Sequence, residues 1–335
     1  MKKWATGIFT SIRGGLGAGL DSVRRLGVPT VQLHAPAADH RTPERTAQFK
    51  EQFAQAGIAV TVVFAGFEDD DYATVERVKQ SVGLVPKDRR PRRLKEVLEI
   101  SDFAHRLGVE AIGMHLGFVP PDASDPEFKA VVEVTRLVCD HCAANHQRFH
   151  LESGQETAAE LLHFIEAVGR DNLAVNFDPA NMILYGAGDP LKALDLVGPH
   201  VKSVHCKDAS YTRKPGQPWY EDAPLGQGDV DIEAFLRKLH ALGLQHVGSG
   251  KNVVAPERHR LKTADAVLMA LRRKERKFGL CSRDQEFDPP LLVSERLVGK
   301  DLEAEFFVIE LQRSILIADG NADDLDPSNH WQSPC

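Results

Sequence analysis

The stretch "LAVNFDPANMIL", residues 173–184, places an acidic residue directly after a run of strand-forming residues. Residues 173–177 favour a β-strand, and Pro179 has no N–H to donate to a continuing ladder. Asp178 is therefore predicted to lie in a loop at the C-terminal end of the strand. It either caps the helix that follows or belongs to a functional site. The residues at the ends of the other predicted strands distinguish these two roles.

A strand followed by a helix is predicted repeatedly along the chain. From Trp4 to about Leu244, short β-rich runs alternate with amphipathic stretches, which is typical of βα units and a parallel sheet. The seven strand candidates are "ATGIFTSI", "TVQLHAP", "AVTVVFAGF", "EAIGMHLGFVP", "RFHLESG", "LAVNFDPA" and "VKSVHCKDA", and "LQHVGSGKNVV" is a candidate eighth. The pattern predicts an α/β fold, a TIM (β/α)8 barrel. A doubly wound sheet is the alternative, but "RGGLGAGL" at 13–20 lacks the GxGxxG spacing of a nucleotide-binding turn.

Polar residues close five of these runs. TIM barrels place their active sites at the C-terminal ends of the strands, so these side chains are predicted to share one rim. They are His34, His115, Glu152, Asp178 and His205. Carboxylates and imidazoles without thiolates suit a divalent cation (Mn²⁺, Mg²⁺, Co²⁺ or Zn²⁺) and argue against a structural zinc site.

Each of these residues also has a structural interpretation. His34 precedes "AP" and is able to cap a turn, and His205 is able to serve as a core histidine. Glu152 favours function more strongly, because an unpaired charge on an apolar strand is costly to bury. Lys207 and Asp208 follow His205, either as a surface ion pair or as part of the same polar cluster.

The order of these motifs resembles a known family. "HLG", "LES", "NFDPANM", "VHCKD" and "PLGQGDVDIEAFL", spread over residues 5–244, are similar to the sugar phosphate isomerase/epimerase family of xylose isomerase-like TIM barrels. The resemblance implies a site in which Glu152, Asp178 and His205 bind one divalent ion and Glu152 also acts as the catalytic base. It places Asn181 at the same mouth, and we add His115, Lys207 and His34 as candidate substrate-binding residues.

The eighth strand departs from the family pattern. Family members end this strand with a glutamate, whereas Gly250, Lys251 and Asn252 occupy the corresponding place and Glu257 comes later. Either Glu257 supplies the fourth ligand, or that ligand is lost, or an altered reading frame replaced the C-terminal sequence. We expect the barrel to close poorly here because the first strand would lack a neighbour. The barrel domain is predicted to span residues 1–279, with a C-terminal extension over 280–335.

The resemblance implies a metal-dependent sugar or sugar phosphate isomerase or epimerase with a small carbohydrate substrate. Without the strand-eight acid, two-base epimerisation loses a partner, whereas one-base isomerisation stays open. The alternatives are an inactive or binding-only relative and a hydrolase or lyase of the wider superfamily. An endonuclease IV-like nuclease is disfavoured, because Asn181 replaces the histidine found in those enzymes and the Asp-x-His before "GQG" is absent.

The composition limits the classes of partner that this protein is expected to bind. A net charge of −7 over 335 residues provides no broad basic field, so nucleic acid is not expected. No signal peptide and no apolar run of about 18 residues is visible, so we expect a cytoplasmic protein without membrane contact, with self-association into a homo-oligomer left open. Five cysteines predict reduced thiols, and Cys139 and Cys142 are predicted to lie on a buried helix face.

Overall fold

The computed structural model describes residues 6–12, 18–211, 220–243 and 253–255. Eight parallel strands form a closed barrel in which consecutive strands pair, and the last strand pairs with both the seventh and the first. They are β1 (Thr6–Ser11), β2 (Thr30–His34), β3 (Ala59–Ala65), β4 (Ala111–Met114), β5 (Arg148–Glu152), β6 (Leu173–Phe177), β7 (Val201–His205) and β8 (Val253–Ala255). The prediction of a TIM barrel is confirmed.

Helices follow the strands and cover the outside of the barrel. They are α1 (Leu20–Leu26), α2 (Pro43–Gln55), α3 (Val75–Ser81), α4 (Arg90–Leu107), α5 (Pro126–Ala144), α6 (Ala158–Val168), α7 (Pro179–Leu184), α8 (Pro190–Val197) and α9 (Ile232–Ala241). Short 3₁₀ turns occupy Ala38–His40 and Gly198–His200, and Ala18–Gly19 pairs with the end of β1. Asp208–Tyr211 and Tyr220–Ala223 form a separate two-stranded antiparallel sheet.

Local sequence signals set the helix ends. Thr157 begins α6 with a capping box, in which its side chain accepts the Glu160 N–H while the Glu160 carboxylate accepts the Thr157 N–H. Gly169 ends the same helix at φ 59°, a left-handed conformation that glycine adopts without steric cost. Cys139 and Cys142 are fully buried on α5, as expected, and burial raises the pKa of the Cys142 thiol to about 12.

The barrel interior is polar, unlike the layer between strands and helices. Phe149 and Leu151 of β5 point outward into the main apolar core, so the alternating His150 and Glu152 point inward. Asn176 Oδ1 accepts hydrogen bonds from Gln32 Nε2 (3.2 Å) and from Ser203 Oγ (2.7 Å). These side chains join strands across the barrel directly beneath its mouth.

The short β8 closes the barrel. Val254 lies in register with His205 of β7 on one side and with Gly7 of β1 on the other. Our expectation of poor closure was wrong in this respect, because β8 pairs through three residues with β1 and through two with β7, and so leaves β1 without a free edge. Gly250, Lys251, Asn252, Glu257 and the predicted extension over 280–335 lie outside the described residues. Within the described ranges, no helix has the length and apolar character needed to cross a membrane.

Candidate metal and substrate site

Asp178 uses its two carboxylate oxygens differently. Oδ1 accepts the N–H of Asn181 at 3.0 Å and so caps the N-terminus of α7, while Oδ2 lies 3.3 Å from Nδ1 of His205. The backbone N–H of Asp178 donates to Ser153 Oγ at 2.8 Å, which fixes the turn after β6. Helix capping and a place in the site are therefore compatible roles of one side chain.

Three predicted ligands meet at the mouth of the barrel. Glu152 ends β5, Asp178 follows β6 and His205 ends β7, so their side chains come from three neighbouring strands. Glu152 Oε1 lies 2.8 Å from His205 Nδ1, and one donor atom from each residue falls within 4.8 Å of the other two. Asp178 is fully buried and Glu152 is 9% exposed, so the cluster is shielded from solvent.

The cluster fits a divalent cation. A metal with ligands at about 2.0–2.2 Å holds neighbouring donor atoms roughly 3 Å apart, close to the spacings found around His205. Asp178 Oδ2 is buried and has no hydrogen-bond partner among the described residues, only the charge contacts with His205 Nδ1 (3.3 Å) and Lys207 Nζ (3.4 Å). Buried polar atoms of this kind call for a ligand, and two carboxylates with one imidazole suit Mg²⁺, Mn²⁺, Co²⁺ or Zn²⁺.

The two acids differ in their electrostatics. Burial raises the pKa of Asp178, and the nearby charges of Lys207 and His205 only partly oppose that rise. Burial also acts to raise the pKa of Glu152, but the hydrogen bond and charge of His205 outweigh it, so the net shift is downward. Glu152 is consequently held in its deprotonated form, as a metal ligand or a general base requires.

Lys207 lies inside the site and not on the surface. Its ammonium donates to Asn181 Oδ1 at 2.6 Å and lies 3.4 Å from Asp178 Oδ2. Asp222, on the two-stranded sheet, has its Oδ1 3.9 Å from the same nitrogen. Sequence reasoning missed Asp222, because nothing in "YEDAPLGQG" indicates that this sheet folds back over the barrel mouth.

Asp208 organises the loop before α9. The interpretation of Asp208 as a surface residue was wrong, since the side chain is 1% exposed and accepts four backbone N–H groups. The donors are Ala209, Gly226, Gly228 and Val230. A Cβ on Gly228 would lie 2.2 Å from Asp208 Oδ1, which explains why this position of "LGQG" is a glycine.

His115 and His34 lie at either side of the cluster. His115 is buried after β4, contacts Gln155 Nε2 through its Nε2, and has its pKa lowered to about 4 by burial. Burial lowers the pKa of His34 to about 4 as well. The ring of Phe9 packs against both His34 (6.4 Å between centroids) and His205 (5.9 Å). Both imidazoles are therefore neutral near pH 7.

Comparison with known proteins shows the family to which this chain belongs. A family model described as a xylose isomerase-like TIM barrel matches residues 20–269. A xylose isomerase domain protein from Planctomyces limnophilus is 43% identical, with a TM-score of 0.73 over 83% of this chain and 100% of that chain. The protein YihM of Escherichia coli K12 is 36% identical over 85 residues, 25% of this chain, so the match spans about a quarter (26%) of that relative's length.

More distant solved structures share the fold. A D-psicose 3-epimerase with D-tagatose from Clostridium cellulolyticum H10 is 16% identical over 96% of this chain and 99% of that chain, with a TM-score of 0.55. A xylose isomerase-like TIM barrel protein from Mycobacterium smegmatis in complex with magnesium is 15% identical over 95% and 99% of the two chains, with a TM-score of 0.56. Because the family model covers well over half of the sequence and the Planctomyces structure is matched over its full length, the chain belongs to the xylose isomerase-like TIM barrel family.

Proposed function

We propose that this protein is a divalent-metal-dependent isomerase or epimerase acting on a ketose. The observation that carries the proposal is the convergence of Glu152, Asp178 and His205 within 4.8 Å at the C-terminal ends of three neighbouring strands. Sugar 3-epimerases with this fold provide a second line of support, at the level of the fold alone.

Glu152, Asp178 and His205 would hold the cation. A bound divalent ion supplies Lewis acidity that polarises the carbonyl of the sugar and makes the neighbouring C–H more acidic. The lowered pKa of Glu152 keeps its carboxylate ready to accept that proton at neutral pH. Asp178 keeps Oδ2 directed at the site, because Oδ1 is occupied by the Asn181 N–H.

Proton transfer by one base is sufficient for isomerisation. Glu152 takes the proton from the hydroxyl-bearing carbon next to the carbonyl and returns it to the former carbonyl carbon. The proton of that hydroxyl passes to the former carbonyl oxygen, so that the carbonyl and the hydroxyl change places and no net atom is gained or lost. Epimerisation instead requires a second acid on the opposite face of the substrate, which the family supplies from strand eight. Both reactions therefore begin with proton removal by Glu152, and Glu257 is the candidate for the second acid that epimerisation needs.

Substrate binding is assigned to the groups around the cluster. Lys207 and Asn181 form a hydrogen-bonded pair beside Asp178, and both are almost fully buried. His115 is neutral, so its ring is able to hydrogen-bond a hydroxyl without adding charge. His34 adds a second neutral imidazole on the far side of Phe9.

Metal content and proton exchange test the proposal separately. Purified full-length protein should bind about one Mn²⁺ or Mg²⁺ and should exchange the proton next to the carbonyl of D-tagatose in deuterated water. Glu152→Gln should abolish exchange and only weaken metal binding, whereas Glu166→Gln, an exposed acid on α6, should change neither. Metal binding without exchange of any ketose would favour the binding-only alternative, and wild-type exchange in Glu152→Gln would remove this residue from catalysis.

A further inference from the structure

We infer that Gln32, His150, Asn176 and Ser203 form a closed layer that binds water inside the barrel and holds the strands of the candidate metal cluster in place. We call these four side chains the polar layer. The water site is independent of the proposed function, whereas the effect of the layer on the cluster rests on that function.

A continuous chain of hydrogen bonds links the polar layer. Gln32 Nε2 donates to Asn176 Oδ1 at 3.2 Å, and Ser203 Oγ donates to the same oxygen at 2.7 Å. His150 Nδ1 lies 2.9 Å from Ser203 Oγ. Because the Ser203 hydroxyl has a single proton and gives it to Asn176, its oxygen accepts the N–H of His150 Nδ1. The fully buried ring contacts no carboxylate among the described residues, so it is neutral and carries a lone pair on Nε2.

Three polar atoms of the layer have no hydrogen-bond partner among the described residues. They are Gln32 Oε1, His150 Nε2 and Asn176 Nδ2. The three side chains are fully buried, so bulk solvent does not reach these atoms. Buried polar atoms without a partner are rare in folded proteins, and these three therefore call for a bound ligand.

The chemistry of the three atoms identifies the ligand as water. Gln32 Oε1 and His150 Nε2 are acceptors, whereas Asn176 Nδ2 is a donor. A cation would suit the two acceptors but would be repelled by the amide N–H groups, and an anion would be repelled by the two acceptors. Water both donates and accepts, and buried waters typically bond to polar groups of this kind.

The neighbours of His150 leave room for a small ligand on one side. The residues in register with it are Gly113 on β4 and Ala174 on β6. The space beside Gly113 is filled by Phe64 and Val62, which lie 3.1 Å from where a Cβ would stand. Ala174 contributes only a methyl group, so a water molecule on the β6 side of the imidazole meets no bulky side chain from that position.

The polar layer lies directly beneath the predicted ligands. Three of its members each stand two residues before a ligand along the chain. The pairs are His150 and Glu152, Asn176 and Asp178, and Ser203 and His205. Alternate residues of a strand face the same side and lie about 7 Å apart, so the layer ties β5, β6 and β7 together one step below the cluster. It thereby sets the relative heights at which the three ligands project.

A high-resolution crystal structure of the full-length protein tests the water site. Density for water is expected at about 2.7–3.2 Å from His150 Nε2 and from at least one of Gln32 Oε1 and Asn176 Nδ2. In solution, magnetic relaxation dispersion of water oxygen should detect fewer long-lived internal waters in His150→Phe than in wild type. His163→Phe, which changes an exposed ring on α6, should match wild type. A dry interior beside His150 in the wild-type crystal would overturn the water site, even if His150→Phe does not fold.

Ser203→Ala tests the positioning role, because it breaks the link between His150 and Asn176 without changing a predicted ligand. Its Mn²⁺ affinity, measured by titration calorimetry, should fall about tenfold. Ser203→Thr keeps the hydroxyl and Ser124→Ala changes an exposed serine, so both should stay within about threefold of wild type. A lower Tm of Ser203→Ala with unchanged Mn²⁺ affinity is the result expected of a contact that only stabilises the fold, and it would overturn the positioning role.

The outcomes distinguish this inference from the proposed function. Internal water together with weakened Mn²⁺ binding by Ser203→Ala supports the inference, whether or not a ketose exchanges its proton. Proton exchange by a wild-type protein whose interior is dry would support the proposed function and contradict the water site. Absence of Mn²⁺ binding by wild type would contradict the proposed function and overturn the positioning role, while the crystal density would still decide the water site.

Discussion

Lys207 and Asp178 form a buried ion pair at the centre of the site, in which Nζ lies 3.4 Å from Oδ2. The ammonium also contacts Asn181 and faces Asp222, so it is the nearest described positive charge to a group of acids that would otherwise repel one another. In the metal-free protein, the Lys207 ammonium neutralises part of the negative charge of these acids. A bound divalent cation would neutralise the same charge.

Lys207→Met is expected to destabilise the metal-free protein and to tighten metal binding. Removal of one partner of a buried ion pair costs about 3–5 kcal/mol, because Asp178 is left uncompensated. The loss of a positive charge next to a ligand favours the cation, so added Mn²⁺ should raise the Tm of this variant more than that of wild type. Thermal unfolding with and without Mn²⁺ measures both effects. Equal metal-induced shifts in the two proteins would show that Lys207 does not oppose the cation.

The two oxygens of Asp178 lead to a paired prediction. Asp178→Asn retains a good N-cap for α7 and removes the ligand charge, so it should keep the fold and lose metal affinity by at least tenfold. Asp178→Ala removes the cap as well and should cost about 1 kcal/mol more in unfolding free energy than Asp178→Asn. Metal analysis and urea unfolding of both variants provide the comparison. If Asp178→Asn bound metal as tightly as wild type, Asp178 would be a helix cap and not a ligand.

The sequence predicted the barrel because hydrophobic runs and helix caps repeat along the chain. It also predicted that Glu152, Asp178 and His205 lie close together, since each stands at the end of a strand and barrel topology brings the strand ends to one rim. Their role as metal ligands was implied by the family resemblance and stays a prediction. Asp222 was missed because its position depends on how the two-stranded sheet folds back over the mouth. The role of Asp208 was missed for a related reason, because its four donors lie up to 22 residues away in the sequence.

Glu156 leads to a prediction about pH. Burial raises its pKa to about 7, against the opposing hydrogen bond from the Val119 N–H. A folded pKa above the unfolded value of 4.5 means that the folded state binds more protons between pH 4.5 and about 7, so stability falls as pH rises through this window. Because the side chain is only partly buried and solvent screens its charge, the effect should be on the order of 1 kcal/mol.

Glu156→Gln should remove this pH dependence and keep the acceptor for the Val119 N–H. The variant should be more stable than wild type at pH 8 and close to it at pH 5. Urea unfolding at both pH values measures the difference. A variant that is less stable than wild type at pH 8 would contradict the sign of the shift.

Arg93 leads to a final prediction, about the segment between β3 and α4. Its guanidinium is fully buried on α4, lies 2.8 Å from Asp69 and 3.0 Å from Asp70, and donates to the carbonyl of Gly83 at 2.7 Å. It therefore ties both ends of the segment between β3 and α4. Arg93→Met should cost about 3–5 kcal/mol of unfolding free energy, since it leaves the 7% exposed Asp70 without its charge partner.

Arg92 supplies the matched control for Arg93. It lies 2.7 Å from the same Asp69 carboxylate but is 58% exposed, so Arg92→Met should cost less than about 1 kcal/mol. Hydrogen exchange should speed up in residues 67–83 of Arg93→Met and stay unchanged in Arg92→Met. Equal stability losses in the two variants would contradict this prediction. They would show that each arginine contributes through its contact with the charge of Asp69, and that burial of the Arg93 guanidinium adds nothing to the unfolding free energy.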